Sequence, residues 1–128
     1  MKLLLDTHIL LWWLKADPRL TSKLRAVLEQ AETLYLSSVA VYEAGVKVRL
    51  GKLSLDRSVA ETMELARRNA GLVDLPLEAG HALLAAELPL IHRDPFDRLL
   101  IAQAKIEKLT LVSSDLAMQQ YDVPLISS

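Results

Sequence analysis

Leu3-Leu4-Leu5-Asp6 near the start of the chain and Leu109-Thr110-Leu111-Val112-Ser113-Ser114-Asp115 near its end decide the fold. Each is a short, largely apolar run with the length and flanks of a buried parallel strand, and each ends on an acid. In an open parallel sheet, ligands bind beyond the carboxyl ends of the strands. Two acids from opposite ends of the sequence are therefore expected at the one edge where an α/β domain does chemistry. That placement points to a metal site.

Working outward, short apolar runs alternate with helical stripes, as in βαβ architecture. Residues 2–5 read as a first strand leading into a helix through Trp13, which Asp17-Pro18 ends. Leu24, Val27, Leu28 and Ala31 stripe a second helix. Thr33 to Ser37 reads as a strand. Ser38 is placed to cap a helix that runs to Leu50 and stops at Gly51. Val59 to Ala70 is another helix, closed by Gly71. Residues 72–75 form a short strand and Leu77 to Glu87 a short helix. Asp94-Pro95 opens a helix to about Lys108. A strand at 109–113, a short helix and a last strand over Val123 to Ile126 complete the chain.

The chain has 128 residues, enough for one domain. Its hydrophobic fraction of 52% and mean hydropathy of +0.23 supply a packed core, with apolar surface left for a partner. A net charge of −1 excludes a strongly basic nucleic-acid binder, so any such contact must be local. There is no cysteine, which rules out disulfides and thiolate metal sites. Asp6 and His8 interrupt the one stretch that resembles a signal peptide, and Ile9 to Leu14 is far shorter than a membrane span. The expectation is a soluble, cytoplasmic protein.

Two more acids join the first pair. On the helix after Ser38, Val39, Tyr42, Val46 and Leu50 define an inward stripe, and Glu43 lies on that stripe or at its edge. On the helix after Asp94, Leu100, Ile101 and Ala104 define the inward stripe and Asp97 shares it, while Arg98, Lys105 and Lys108 fall outside. An inward carboxylate needs a reason, because burying an unpaired charge is expensive. Two carboxylates about 4 Å apart repel by roughly 4 kcal/mol at an effective dielectric of about 20. Four clustered acids must share protons or bind a cation. Oxygen ligands alone select hard ions such as Mg2+ or Mn2+, and such ions activate water against phosphodiesters. Singly, each acid has a plainer reading. Asp6 and Asp115 suit helix caps, Glu43 suits an i,i+4 pair with Lys47, and Asp97 suits the helix dipole behind the Asp94 cap and Pro95. Those readings leave the convergence of all four unexplained.

At this point the chain resembles a known family. The carriers are Leu-Leu-Leu-Asp-Thr-His-Ile-Leu-Leu-Trp-Trp-Leu at 3–14, Ser-Ser-Val-Ala-Val-Tyr-Glu at 37–43 and Leu-Gly-Lys-Leu at 50–53. With them go His-Arg-Asp-Pro-Phe-Asp-Arg-Leu-Leu-Ile-Ala-Gln-Ala at 92–104 and Leu-Thr-Leu-Val-Ser-Ser-Asp at 109–115. Together they are similar to PIN domains, and within them to the VapC toxins of type II toxin–antitoxin pairs. The resemblance covers essentially all of residues 1–128 as a single PIN domain. It implies a three-layer α/β/α fold with a mainly parallel central sheet. It also implies an Mg2+-dependent endoribonuclease, with Mn2+ as a plausible substitute and one or two ions. Asp6, Glu43, Asp97 and Asp115 take the positions of the catalytic, metal-binding acids. Ser113 stands where the family usually has Thr, and Tyr42 where a Trp often precedes the Glu. The implied partners are a homodimeric copy and a cognate VapB-type antitoxin whose C-terminal segment blocks the site.

Within that resemblance, Asp6 and Asp97 are the first choices as direct ligands. Glu43 and Asp115 act through waters, complete a second ion's shell or orient the nucleophile. Ser113, Thr7 and Asp94 are expected to support the acids. Lys47, Arg49, Lys52, Arg93 and Arg98 are candidate RNA contacts, each equally readable as a solvated surface residue. His8 is read as a loop support, His81 as a packing residue with one hydrogen bond, and His92 as a loop residue without information. Of Trp12 and Trp13, one is expected in the core and the other at an interface. Aspartyl-phosphate phosphatases need a second Asp two positions after the first, and His8 stands there. A receiver domain needs an acceptor acid and a late lysine that find no convincing pair. The remaining alternative is a catalytically silent PIN-fold regulatory or binding module.

Overall fold

Leu3 and Leu5 point to one side of the first strand and Leu4 to the other, and all three are buried. A strand apolar on both faces must lie inside a sheet covered on both sides. In the computed structural model, which describes residues 1–127, that is its position. The strands are β1 (Lys2–Leu5), β2 (Thr33–Ser37), β3 (Val73–Leu75), β4 (Thr110–Val112) and β5 (Leu125–Ile126). They form a wholly parallel sheet in the order β3-β2-β1-β4-β5, with Leu3 opposite both Leu34 and Thr110. The helices are α1 (Thr7–Leu14), α2 (Ser22–Glu29), α3 (Ser38–Arg49), α4 (Val59–Ala70), α5 (Ala79–Glu87) and α6 (Pro95–Glu107), followed by a 3₁₀ turn at Leu116–Gln120.

The two faces carry separate cores. Leu3, Leu5, Leu34, Leu36 and Val112 pack with Ile9 and Leu10 of α1, Leu24 and Leu28 of α2, and Met63 and Ala66 of α4. Leu4 and Leu111 pack on the opposite face with Leu100, Ile101 and Ala104 of α6 and with Met118 and Tyr121. The result is the expected α/β/α layering. Among the described residues, no helix is long and apolar enough to cross a membrane.

Most element boundaries agree with the sequence reading, with three informative differences. Ser37 caps α3, its Oγ accepting from Val39 N, while Ser38 Oγ accepts from Leu77 N and ties down the chain after β3. The last strand is shorter than expected, confined to Leu125–Ile126. The inward stripe of α3 is rotated. Val39, Ala40, Glu43 and Ala44 are buried, whereas Tyr42 is 66% and Leu50 62% exposed. Alanines at 40 and 44 let the helix approach the sheet closely, and the larger Tyr42 is turned outward beside Phe96, 6.0 Å between ring centres. The rotation puts Glu43 at the centre of the buried face.

Candidate metal centre

Strand order reverses beside β1: β2 lies on one flank and β4 on the other. The crevice at such a reversal is where open α/β sheets bind ligands. Asp6 follows β1 directly, and its N–H extends the ladder to Val112 O at 2.9 Å. It caps α1, with Oδ1 accepting from His8 N at 3.4 Å. Its Oδ2 accepts from Ser113 Oγ at 2.7 Å. Ser113, fully buried after β4, also accepts from Asp115 N at 3.0 Å. Asp115 caps the 3₁₀ turn through Oδ1, which accepts from Ala117 N. The capping readings of Asp6 and Asp115 are thus true and do not remove either acid from the crevice.

Glu43 is 2% exposed and holds two partners. Thr7 Oγ1 donates to its Oε1 at 2.8 Å, and Lys47 Nζ lies 2.6 Å from its Oε2. The i,i+4 pair with Lys47 exists, on the buried face rather than on the surface. At the start of α6, Asp94 is the cap, accepting from Phe96 N, with Pro95 in the first helical position. Asp97, in the first turn, is 6% exposed. His92 Nε2 sits 2.6 Å from Asp97 Oδ2 and 3.3 Å from Asp115 Oδ2.

Charge is crowded here. Burial, with the neighbouring charges of Asp6 and Asp94, pushes the Asp97 carboxyl up to about 7 against the hydrogen bond from His92. Burial also raises Asp6, and the Glu43 charge adds to it; the Ser113 hydrogen bond and His8 oppose the rise. Burial works against the His92 imidazolium, but the hydrogen bond to Asp97 and the charges of Asp97, Asp115 and Asp94 raise it on balance. Burial likewise opposes the Lys47 ammonium, and Glu43, Asp94 and Asp6 outweigh it. Among the described residues, His92, Asp94 and Asp97 offer ligand atoms that all lie within 4.8 Å of one another. The group centres on Asp97; Asp115 joins it through His92, and Asp6 through its charge. Crowded, desolvated carboxylates without thiolates fit a hard divalent cation, which would relieve both raised carboxyls.

The five candidate RNA cations divide. Arg49, Lys52 and Arg93 are exposed and take part in no ion pair among the described residues. Lys47 is tied to Glu43. Arg98 is half-buried rather than facing outward and, among the described residues, pairs with no acid. Its guanidinium donates to the carbonyls of Ala85, Leu88, Pro89 and His92 and to Tyr121 Oη, so it is engaged within the fold.

His92 is the site residue that the sequence reading passed over. Helical periodicity carries no signal for a side chain in a loop. The available clue was position: a histidine two residues before a helix cap can fold back over the first turn. His81 makes two hydrogen bonds rather than one, accepting from Glu78 N at Nδ1 and meeting Glu107 Oε2 at Nε2. Trp12 and Trp13 are both half-buried and both pack against the core on the α1 side, so the structure does not divide them into one core and one interface residue.

The family model described as PIN domain matches residues 3–124. No curated protein matches the chain in sequence. Solved structures of similar fold include VapBC2 from Rickettsia felis bound to a DNA fragment from its promoter, with a TM-score of 0.73, 18% identity, and 99% of this chain and 98% of that one covered. FitAcB from Neisseria gonorrhoeae has a TM-score of 0.67 at 23% identity, covering 98% and 96%. A toxin–antitoxin complex from Klebsiella pneumoniae has a TM-score of 0.68 at 16% identity, covering 97% and 95%. At these identities the likeness is one of fold.

Proposed function

The chain belongs to the PIN domain family, and from that premise we propose that it is the toxin of a toxin–antitoxin pair, acting as an Mg2+-dependent endoribonuclease. The observation that supports the reading most is the cluster of Asp94, Asp97 and His92 at the start of α6, with Asp115 beside His92 and Asp6 following the central strand at the sheet's reversal. Asp6 and Asp97 would hold the cation, with Glu43 and Asp115 beside them; Mn2+ would serve in place of Mg2+. When bound, such a cation polarises a phosphoryl oxygen and makes water a competent nucleophile at neutral pH.

The protein's own residues fix the frame for that reaction. Ser113 keeps Asp6 oriented across the β1–β4 crevice. Thr7 and Lys47 hold both oxygens of Glu43, which leaves it suited to orient a water rather than to accept its proton. Arg49, Lys52 and Arg93 are the groups that would contact phosphates, and a few such contacts give weak, salt-dependent binding.

The proposed partner is a VapB-type antitoxin, and the solved neighbours that are themselves toxin–antitoxin assemblies support it. The proposed assembly is a homodimer of one-domain chains. Leu83, Leu90 and Leu116, all strongly exposed, supply apolar surface for such contacts.

The test is cleavage of an RNA panel with Mg2+, with EDTA, and by an Asp6→Asn protein. We expect both treatments to abolish cleavage while the fold persists. Activity that survives in Asp6→Asn and ignores EDTA would overturn the reading.

A further inference from the structure

We propose that His92 is a positioning residue for the acidic centre: its Nε2 fixes the spacing of Asp97 and Asp115, and Arg98 and Tyr121 in turn fix His92. The inference rests on the reading of these acids as a cation site.

Asp97 and Asp115 come from different elements, the first turn of α6 and the cap of the 3₁₀ turn. Both are anionic when a cation is held, so nothing in their own chemistry keeps them together beforehand. The Asp115 side chain is 41% exposed and has water as an alternative partner. Nε2 of the imidazole is hydrogen-bonded to Asp97 Oδ2 at 2.6 Å and lies 3.3 Å from Asp115 Oδ2 as a charge contact. The remaining oxygens are then divided. Asp115 Oδ1 is taken by Ala117 N. Asp97 Oδ1 accepts no hydrogen bond from a donor among the described residues, and it is the oxygen left for a cation.

His92 itself lies between α5 and α6, in a segment without regular structure. Its backbone is held at both polar groups. The N–H donates to Tyr121 Oη at 2.8 Å, and the carbonyl accepts from Arg98 Nη1 at 3.3 Å. Tyr121 Oη donates to Pro89 O at 2.9 Å, and Arg98 Nη2 donates to Ala85 O and Leu88 O at 2.7 and 2.9 Å. A planar guanidinium can reach several carbonyls of one loop at once, which an ammonium cannot. The chain of support runs from Arg98 and Tyr121, through the backbone of residues 85–92, to the imidazole and then to the two carboxylates. Partners of this kind set ligand orientation, and their loss costs about 10- to 100-fold in metal affinity or activity.

The experiment compares the full-length wild type with His92→Ala and His92→Gln. A glutamine carboxamide nitrogen can occupy the place of Nε2 and donate to Asp97 Oδ2. Mn2+ affinity is measured by paramagnetic resonance titration, thermal stability by circular dichroism, and RNA cleavage with Mg2+ as separate kcat and KM. For His92→Ala we expect Mn2+ affinity and kcat to fall by about 10- to 100-fold. KM for RNA should stay near wild type, the variant should remain folded with a lower melting temperature because the buried Asp97 loses its partner, and His92→Gln should recover most of each loss. Mn2+ binding by His92→Ala at wild-type affinity or tighter overturns the proposal. So does a folded His92→Gln protein as impaired as His92→Ala. A wild type that binds Mn2+ in a His92-dependent way but cuts no RNA leaves this inference standing and defeats the proposed function. A wild type that binds no Mn2+ defeats both.

Discussion

Ser113 Oγ donates to Asp6 Oδ2 at 2.7 Å, joining residues 107 positions apart in sequence across the crevice between β4 and β1. The hydroxyl is fully buried and also accepts the N–H of Asp115, so it orients one acid and sets the backbone of another. Replacing it with alanine leaves the buried Asp6 without its main donor. Ser113→Ala should lose about 1–3 kcal/mol in urea denaturation. The Asp6 carboxyl should rise further, so divalent-cation affinity at neutral pH should fall with it. Unchanged stability and unchanged affinity in Ser113→Ala would show that the bond orients nothing.

The Glu43–Lys47 pair makes an asymmetric prediction. Lys47→Met leaves a carboxylate that is 2% exposed with only the Thr7 hydroxyl for company. Glu43→Gln keeps an oxygen for Thr7 and releases the lysine, whose side chain is 28% exposed, toward water. Removing one partner of a buried pair is costly when the stranded charge cannot reach solvent. Lys47→Met should therefore destabilise by about 2 kcal/mol or more and Glu43→Gln by clearly less, read from chemical denaturation of both variants. The reverse order would place the pair's charge burden on the lysine.

How much of this was legible in the sequence depends on which residues carried a period. Leu3 to Leu5 and Leu109 to Val112 declared buried strands, and the acids that follow them fell at the sheet edge as expected. Asp97 lay on a clear stripe with Leu100, Ile101 and Ala104, all buried. The stripe of α3 was misread because size is not inwardness. Tyr42 and Leu50 look like core residues, yet the small Ala40 and Ala44 are the ones that let the helix close on the sheet. His92 reaches the acids from within a loop and Arg98 acts on loop carbonyls, and a loop has no repeat to read.

The cations separate by salt. Arg49, Lys52 and Arg93 are exposed, whereas the Arg98 guanidinium is engaged by carbonyls. On an Asp6→Asn background, where bound RNA is not cut, each exposed cation that contacts a phosphate should contribute about 0.7 to the slope of log affinity against log salt. Arg93→Ala should flatten that slope at little cost in stability. Arg98→Ala should lower the melting temperature instead. A slope that ignores Arg49, Lys52 and Arg93 alike would move the RNA path elsewhere on the surface.

The crowded acids also fix how stability responds to pH. Asp97 has a folded value of about 7 against an ordinary 3.8, and Asp6 and His92 are raised as well. A group raised on folding binds more protons in the native state than in the unfolded chain. Stability then falls as pH rises from its unfolded value through its folded one. For Asp97 that window runs from about pH 4 to about pH 7, with a ceiling of about 4 kcal/mol; the Asp97–His92 pair shares its protons, so the shifts do not add. Asp17, held at about 2 by Arg19, acts in the opposite sense and only in acid below that window. The metal-free protein should therefore melt at a lower temperature at pH 8 than at pH 5. A divalent cation binds the deprotonated carboxylates, so it stabilises most where the metal-free protein is weakest, by about 2.7 kcal/mol at 100 times its dissociation constant. Calorimetry at both pH values, with EDTA or with Mg2+, checks the sign. Asp97→Asn removes the titrating charge, so that protein should melt above wild type at pH 8 in EDTA and should lose most of its response to Mg2+. A metal-free wild type that gains stability between pH 5 and pH 8 would mean that the acids are already neutralised by the protein itself, with no cation needed.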